Sequence, residues 1–421
     1  MSFDTAVSGI KASSTALGII GNNIANSGTT GFKTSRGEFA DVFTSSLLGA
    51  AGSTAGKGVA VVGVNQSFTQ GNVSYTDNVL DMAINGSGFF VLSDNGSNIY
   101  SRAGNFQVDR NGNVVNSSGN KLMVFSTTDA GAVTGEMEEL KINTALIQPK
   151  TTSSIGLLAN LDSRDVTPVA AWPAGGFDAF ASPPTAPDPE MFNSSTSVTI
   201  YDSLGNSHVQ SMYFAKTAEN TWNAYTLIDG VSASGPDEIV FDSAGKIVPA
   251  SLPLEVQITG WAPLDRNGDP TGADAQNLTL DFSTLSQFGN EFSVNNITQD
   301  GYTTGQLRGV EVGDGGIVFA RFTNGQSRAL GQIALANFSN TAGLQPLGST
   351  AWAETFASGQ PAISGPGSAG LGVVESGALE DSNVEVTQQL VDMIVAQRNF
   401  QANAKVIQTE DTITQTVINL R

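Results

Sequence analysis

SNVEVTQQLVDMIVAQRNFQANAKVIQTEDTITQTVINLR, residues 382–421, closes the chain without a single Pro or Gly. Ser382 with Glu385 three residues on forms a capping-box pattern, so a helix is expected to begin there. Val386, Leu390, Met393, Phe400, Ala404 and Ile407 recur on steps of three, four or seven, and Ile413, Val417 and Leu420 resume the seam after a shift. Fully helical, the stretch is about 60 Å long. Its counterpart at residues 2–26 puts Phe3, Ala6, Ile10, Ser13, Leu17, Ile20 and Ile24 on strict three–four spacing, with Ser2 as N-cap. Each helix carries a narrow apolar stripe that it cannot bury alone. The stripes are expected to pack on each other and on the same stripes of neighbouring molecules, forming a coiled-coil-like core.

Charge separates these ends from the middle. Residues 1–40 hold Lys11, Lys33 and Arg36 against Asp4 and Glu38. Residues 382–421 hold Arg398, Lys405 and Arg421 against Glu385, Asp392, Glu410 and Asp411. Each end is within one charge of neutral, so the middle carries the chain's net −20. Near-neutral helices suit crowding against copies, and an acidic middle suits water. Acidity argues against nucleic acid and against anionic membrane surfaces as partners. The absence of cysteine rules out disulfides and thiolate metal sites. No segment has the apolar length of a membrane span, and the N-terminus lacks the pattern of a cleaved secretory signal.

Between the helices the chain reads as mainly β and nested. Residues 27–72 and 360–381 are expected to be linker, ordering on assembly. Residues 73–146 and 293–359 are expected to form an inner β-domain. Its first half is a meander punctuated by Asn85-Gly86, Asn95-Gly96 and Asn111-Gly112, dipeptides that favour tight hairpins. Residues 147–292 read as an inserted outer β-domain that opens with a Pro-rich, irregular stretch from Pro168 to Pro189. The layout pairs 1–26 with 382–421 as a terminal helical domain.

Asn22-Asn23-Ile24-Ala25-Asn26, followed by Thr30-Gly31-Phe32-Lys33, resembles the N-terminal signature of the axial rod and hook proteins of the bacterial flagellum. Met393 to Gln401, with Gln397 and Arg398, then Asn403, Lys405, Ile407 and Asp411, resembles the matching C-terminal signature. Leu80 to Ile84, Gly88-Phe89-Phe90 and Tyr100-Ser101-Arg102 resemble the domain beside the helices, and the hook proteins are most similar. The resemblance implies a self-polymerising subunit of a curved hollow tube, a universal joint and export conduit. It implies export by the flagellar type III apparatus, without cleavage, to the extracellular hook. The implied partners are further copies, rod, hook-cap and hook–filament junction proteins, and the export machinery. Amides at Gln388, Gln389, Gln401, Asn403, Gln408, Gln415 and Asn419 would then line a wet lumen. The competing readings are a distal rod protein, a carbohydrate-binding or hydrolytic β-protein, and an adhesin.

Motifs for chemistry are weak. Gly365 to Gly370 matches G-x-G-x-x-G but contains Pro366 and follows a loop, so no cofactor is expected. Gly52 to Lys57 departs from a phosphate loop in spacing and in Gly58. Asp109 to Asn113 and Asp265 to Asp269 have some character of calcium loops; weak calcium binding at Asp265 and Asp269 stands as the lesser alternative to a hairpin turn. His208, the sole histidine, lies near Asp202 and Ser203, yet one hairpin does not easily supply a triad, so a surface strand-end position is expected. Glu138 and Glu139 are expected on opposite strand faces, and Trp172, Trp222, Trp261 and Trp352 as core residues. No catalytic residue or metal site is assigned, and the protein is not expected to be an enzyme.

Overall fold

A computed structural model describes residues 3–42, 56–128, 131–248, 255–265 and 267–419. The chain divides into two compact units. One comprises Met1–Thr144, Arg308–Arg321 and Ser327–Arg421; the other comprises Ala145–Leu307 and Phe322–Gln326. The protein is mainly β, with a helix at each end: α1, Phe3–Ala25, and α2, Val386–Asn419.

In the first unit α1 and α2 pack together. Strands Ser35–Asp41 and Val59–Gln66 pair antiparallel and lie against α1, where the Val59 amide donates to Ser8 Oγ at 3.2 Å. This ribbon occupies part of the stretch expected to be linker. Phe43, Leu47 and Leu48, read as a possible short helix, lie outside the described residues.

The main sheet of this unit runs through Ser327–Ile333, Lys121–Thr127, Phe89–Asp94, Ser97–Ser101, Ala351–Ala353 and Gln345–Gly348. Early and late parts of the chain therefore interleave in one sheet. Phe89, Tyr100, Phe338 and Trp352 are buried beneath it, with Phe68 edge-on to Phe89 and Trp352 at centroid distances of 5.4 Å. Such aromatic pairs favour edge-to-face geometry because the ring edge and face carry opposite partial charge.

The second unit is a sandwich. Strands Glu255–Trp261, Gln276–Asp281, Ser154–Asp162, Ser286–Phe288 and Ser293–Gln299 form one sheet. Strands Ser194–Tyr201, Ser207–Ala218, Thr221–Ile228 and Val231–Val240 form the other, in chain order. Alternate residues of both, including Leu157, Leu161, Met212, Phe214, Trp222 and Phe282, make one core. Ser154–Asp162 pairs parallel with two later strands, a long-range pairing that local turn signals do not announce. The Pro-rich stretch packs its aromatics on the second face of the four-stranded sheet. Trp172 stacks on Tyr225 at 4.2 Å and meets Phe177 edge-on at 4.9 Å.

Two local expectations change. Helix α2 begins at Val386, not after Ser382: the Gln389 amide donates to the Glu385 carbonyl, making Glu385 the boundary. Asn383 is held out of the helix, because its Oδ1 accepts from the Thr34 amide at 2.7 Å and its Nδ2 donates to the Ser67 carbonyl at 2.9 Å. Among the Asn-Gly dipeptides, Asn95 and Gly96 both take positive φ, as a tight hairpin requires, whereas around Asn111-Gly112 only the Gly does. There Asp109 Oδ1 accepts the amides of Asn111 and Asn113, each at 2.8 Å. The same five-residue turn, with an acceptor side chain first and a positive-φ Gly fourth, recurs at Asn116, Asp202, Asp242 and Asp265.

Candidate assembly interface

Two close contacts mark the α1–α2 seam, Gly9 with Asn403 and Asn23 with Gln389. Ala6 and Ala12 of α1 and Ala396 of α2 are the buried apolar side chains of the two helices. Gly9 faces Asn403 so closely that a Cβ there would stand 2.7 Å from the amide. At one end of the seam Asn23, 1% exposed, donates to Gln389 Oε1 at 3.0 Å, donates to the Ser35 carbonyl and accepts the Ser35 amide. Gln389 and Asn403 therefore face α1. Gln388, Gln401, Gln408 and Gln415 are exposed.

None of the large stripe residues with a described side chain is fully buried. Ile10, Leu17, Ile20, Ile24, Met393 and Ile407 are half-buried. Phe3, Leu390, Phe400 and Ile413 are exposed, and so are Val391, Ile394 and Val395, which the periodicity did not single out. Val417 lies within α2 without a described side chain, and Leu420 lies outside the described residues. Gln397 and Arg398 are exposed. Thus α2 packs on α1 and still exposes apolar residues, most densely at Leu390, Val391, Ile394 and Val395, among exposed polar ones.

Below the helices a buried ionic cluster ties three distant segments together. Lys33 Nζ meets Glu380 Oε1 at 2.6 Å, and Arg102 Nη1 meets Glu380 Oε2 at 3.1 Å. Lys33 also donates to the Thr69 carbonyl, Arg102 donates to the Gly86 carbonyl, and the Gly71 amide donates to Glu380. Lys33 and Glu380 are wholly buried and Arg102 nearly so. Burial lowers the Lys33 and Arg102 pKa values, and the Glu380 carboxylate works against that lowering. Gly31, at positive φ, gives its amide to the Glu380 carbonyl at 2.7 Å. The chain leaving α1 is thereby fixed to the chain entering α2. Glu380 and Asn383 carried no signal in the sequence, since their partners are about 280–350 residues away.

The chemistry-bearing residues fall elsewhere. His208 is buried, not on the surface as expected: Nδ1 lies 2.6 Å from Asp229 Oδ2 and Nε2 lies 3.4 Å from Asp202 Oδ2. The hydrogen bond to Asp229 raises its pKa. Ser203 Oγ accepts the Asp274 amide. Asp265 Oδ1 accepts the amides of Asn267 and Asp269, as in a hairpin turn held by its own side chain. Among the described residues no cluster of three or more His, Asp or Glu is disposed to hold a metal. Gly365 to Gly370 forms turns between strands Ala362–Ser364 and Val373–Ser376. Glu139 accepts from Lys121 at 2.7 Å. Trp222 and Trp352 are buried, and Trp172 and Trp261 half-buried. No described helix is long and apolar enough to cross a membrane.

The class the structure defines is a mainly β protein of two units, the first carrying paired terminal helices that expose apolar residues. Four family models match stretches of the chain. Residues 3–33 match the flagella basal body rod protein model, and 83–155 match the flagellar hook protein FlgE/F/G D1 domain. Residues 160–302 match the flagellar basal body protein FlaE D2 domain, and 375–420 match the flagellar basal body rod FlgEFG protein C-terminal model. The chain is 38% identical to flagellar hook protein FlgE of Escherichia coli strain K12 over 437 residues, covering all of both chains. It is 34% identical to FlgE of Borreliella burgdorferi, covering 99% of this chain and 98% of that one. The crystal structure of Helicobacter pylori flagellar hook protein FlgE2 shares the fold at a TM-score of 0.53 and 16% identity, covering 73% of this chain and all of that one. The chain belongs to the flagellar hook protein FlgE family.

Proposed function

We propose that this chain is the structural subunit of the bacterial flagellar hook. Copies polymerise through α1 and α2 into a curved hollow tube that carries torque from rod to filament and passes exported cargo. The observation that carries this is the surface of α2: Leu390, Val391, Ile394, Val395 and Phe400 remain exposed after α1 has packed. A contiguous apolar helix surface is costly in water and favours burial against further subunits. Contacts between unlike patches need not close, so they yield a tube rather than a dimer. Acidic, polar β units favour contacts that slide over contacts that lock. The assembly residues are Phe3, Ile10, Leu17, Ile20 and Ile24 on α1 and Leu390, Met393, Phe400, Ile407, Ile413, Val417 and Leu420 on α2. The layout is nested: terminal helices, short connecting segments, an inner β-domain and an outer inserted one. Rod, hook-cap and junction proteins and the type III export apparatus are the partners, and the subunit leaves the cell without cleavage. Electron microscopy of the purified chain after salting out tests the reading. Curved tubes are expected, and a protein that stays monomeric at high concentration overturns it.

A further inference from the structure

Asn-Gly pairs occur at Asn85, Asn95, Asn111, Asn267 and Asn324. An Asn followed by Gly is open to attack on its own side chain, because no Cβ keeps the Gly nitrogen from the Asn carboxamide. The attack needs a group that takes the proton from that nitrogen. At four of the pairs the Gly amide has no such partner. The Gly112, Gly268 and Gly325 amides donate to the backbone carbonyls of Asp109, Asp265 and Phe322, at 3.1, 3.0 and 3.1 Å. The Gly86 amide donates to the Gln70 carboxamide oxygen at 3.0 Å. An amide oxygen is a feeble base and has no proton of its own to pass on.

Asn95 differs. With Gly96 it makes the tip of the hairpin that joins Phe89–Asp94 to Ser97–Ser101. The Gly96 amide donates to Ser93 Oγ at 3.3 Å, and Ser93 Oγ donates to Glu139 Oε1 at 3.3 Å. Lys121 Nζ meets the other Glu139 oxygen at 2.7 Å. Amide, hydroxyl and carboxylate thus form a relay that ends on a base within hydrogen-bond reach. Ser93 is buried, whereas Asn95 and Gly96 are exposed. A Cβ at Gly96 would meet nothing within 4 Å, so the turn has room for the side chain to swing onto the backbone. Asn95 Nδ2, the nitrogen that would leave, donates to Asp94 Oδ1 at 2.9 Å.

We propose that Asn95 is a self-modification site, at which the Ser93–Glu139 relay drives conversion through a succinimide to aspartate or isoaspartate. The Gly96 nitrogen gives its proton to Ser93 Oγ as Ser93 gives its own to Glu139, and the nitrogen attacks the Asn95 side-chain carbonyl carbon. The new C–N bond closes the succinimide ring. The bond from that carbon to Nδ2 breaks, and Nδ2 leaves as ammonia with a proton equal to the one Gly96 lost. Water then opens the ring at either carbonyl. The product places a carboxylate beside Asp94. In the isoaspartate form it also adds a backbone carbon to a tight turn whose register pairs Asp94 with Ser97. The hairpin tip thereby records the age of each copy. The inference stands apart from the polymer reading.

Peptide mapping by mass spectrometry, with the native full-length chain incubated near neutral pH, reads the conversion at each Asn. Asn95 is expected to convert at least about tenfold faster than the other four. In urea at the same pH, which dissolves the relay, the five rates are expected to converge. Ser93→Ala and Glu139→Gln are each expected to slow Asn95 about tenfold and to leave the other four sites unchanged. Glu139 is half-exposed, so E139Q keeps the test intact should the buried Ser93 variant disturb the hairpin. The relay also has a pH signature. With a carboxylate as base, the Asn95 rate is expected to change little between pH 8 and pH 6, whereas in E139Q it is expected to fall about tenfold per unit as hydroxide takes over. Asn95 converting no faster than Asn111 in the folded chain overturns the site. A lead that survives urea, or survives E139Q with an unchanged pH profile, overturns the relay.

Discussion

Glu380 is one carboxylate serving two buried cations, Lys33 and Arg102, at 2.6 and 3.1 Å. Removing its charge leaves both unpaired in a low-dielectric site. Glu380→Gln is therefore expected to destabilise the first unit by about 3–5 kcal/mol in denaturant melts. His208 makes a different statement. Asp229 holds its pKa above the ordinary value, so its contribution is complete below about pH 6.5 and drains away as pH rises through the raised folded value. Burial raises and the bonds from Asn206 and His208 lower the pKa of Asp202, with a net lowering, so that partner stays charged throughout this window. In thermal melts of the second unit, His208→Gln is expected to lose more stability at pH 6 than at pH 9. Equal losses at both values would show that the charge on His208 does nothing there. Neither cluster was legible in the sequence. Lys33 and Arg102 stood only in motif resemblances, and His208 had one of its two carboxylates nearby while the other lay a strand away.

At the scale of the element, α2 is the informative case. Its length and apolar content were plain from residues 382–421, yet its starting point was not, because Asn383 is drawn off to Thr34 and Ser67. Nor was its division of labour. The periodic large residues suggested a knobs-into-holes seam, whereas the closest approaches to α1 are Gly9 with Asn403 and Asn23 with Gln389. Gly9 lets the helices approach, and several bulky residues of α2 remain exposed. Leu390 is 48% exposed and free of that seam. Leu390→Asp should accordingly leave the melting temperature of the monomer within about 2 °C of the wild type, as surface changes do. It should also abolish tubes by electron microscopy, and normal tubes from this variant would remove α2 from the assembly surface.

For the whole molecule, the termini and the β units make separable demands. Each β unit has a hydrophobic cluster of its own, and among the described residues neither cluster includes one from α2. Deleting residues 386–421 is expected to leave both β units protected in amide hydrogen exchange while polymer formation is lost. α1 is expected to exchange freely once its partner is gone. Tubes from the truncated chain would place the essential contacts in the β units alone.

Local spacing and composition settled the class of this protein. Helical periods at both ends, Gly and Asn turn punctuation between them, and an acidic middle all depend on neighbours a few residues apart, so they are present in the chain before it folds. Long-range closure was left to the folded state. The parallel strand at Ser154–Asp162, the His208 pair with Asp229 and the joining of Lys33, Arg102 and Glu380 each need segments that meet only when the cores form. Which apolar residues α2 hides and which it offers was decided the same way: packing distance, set by Gly9 against Asn403, chooses one face of a helix whose sequence is apolar on several.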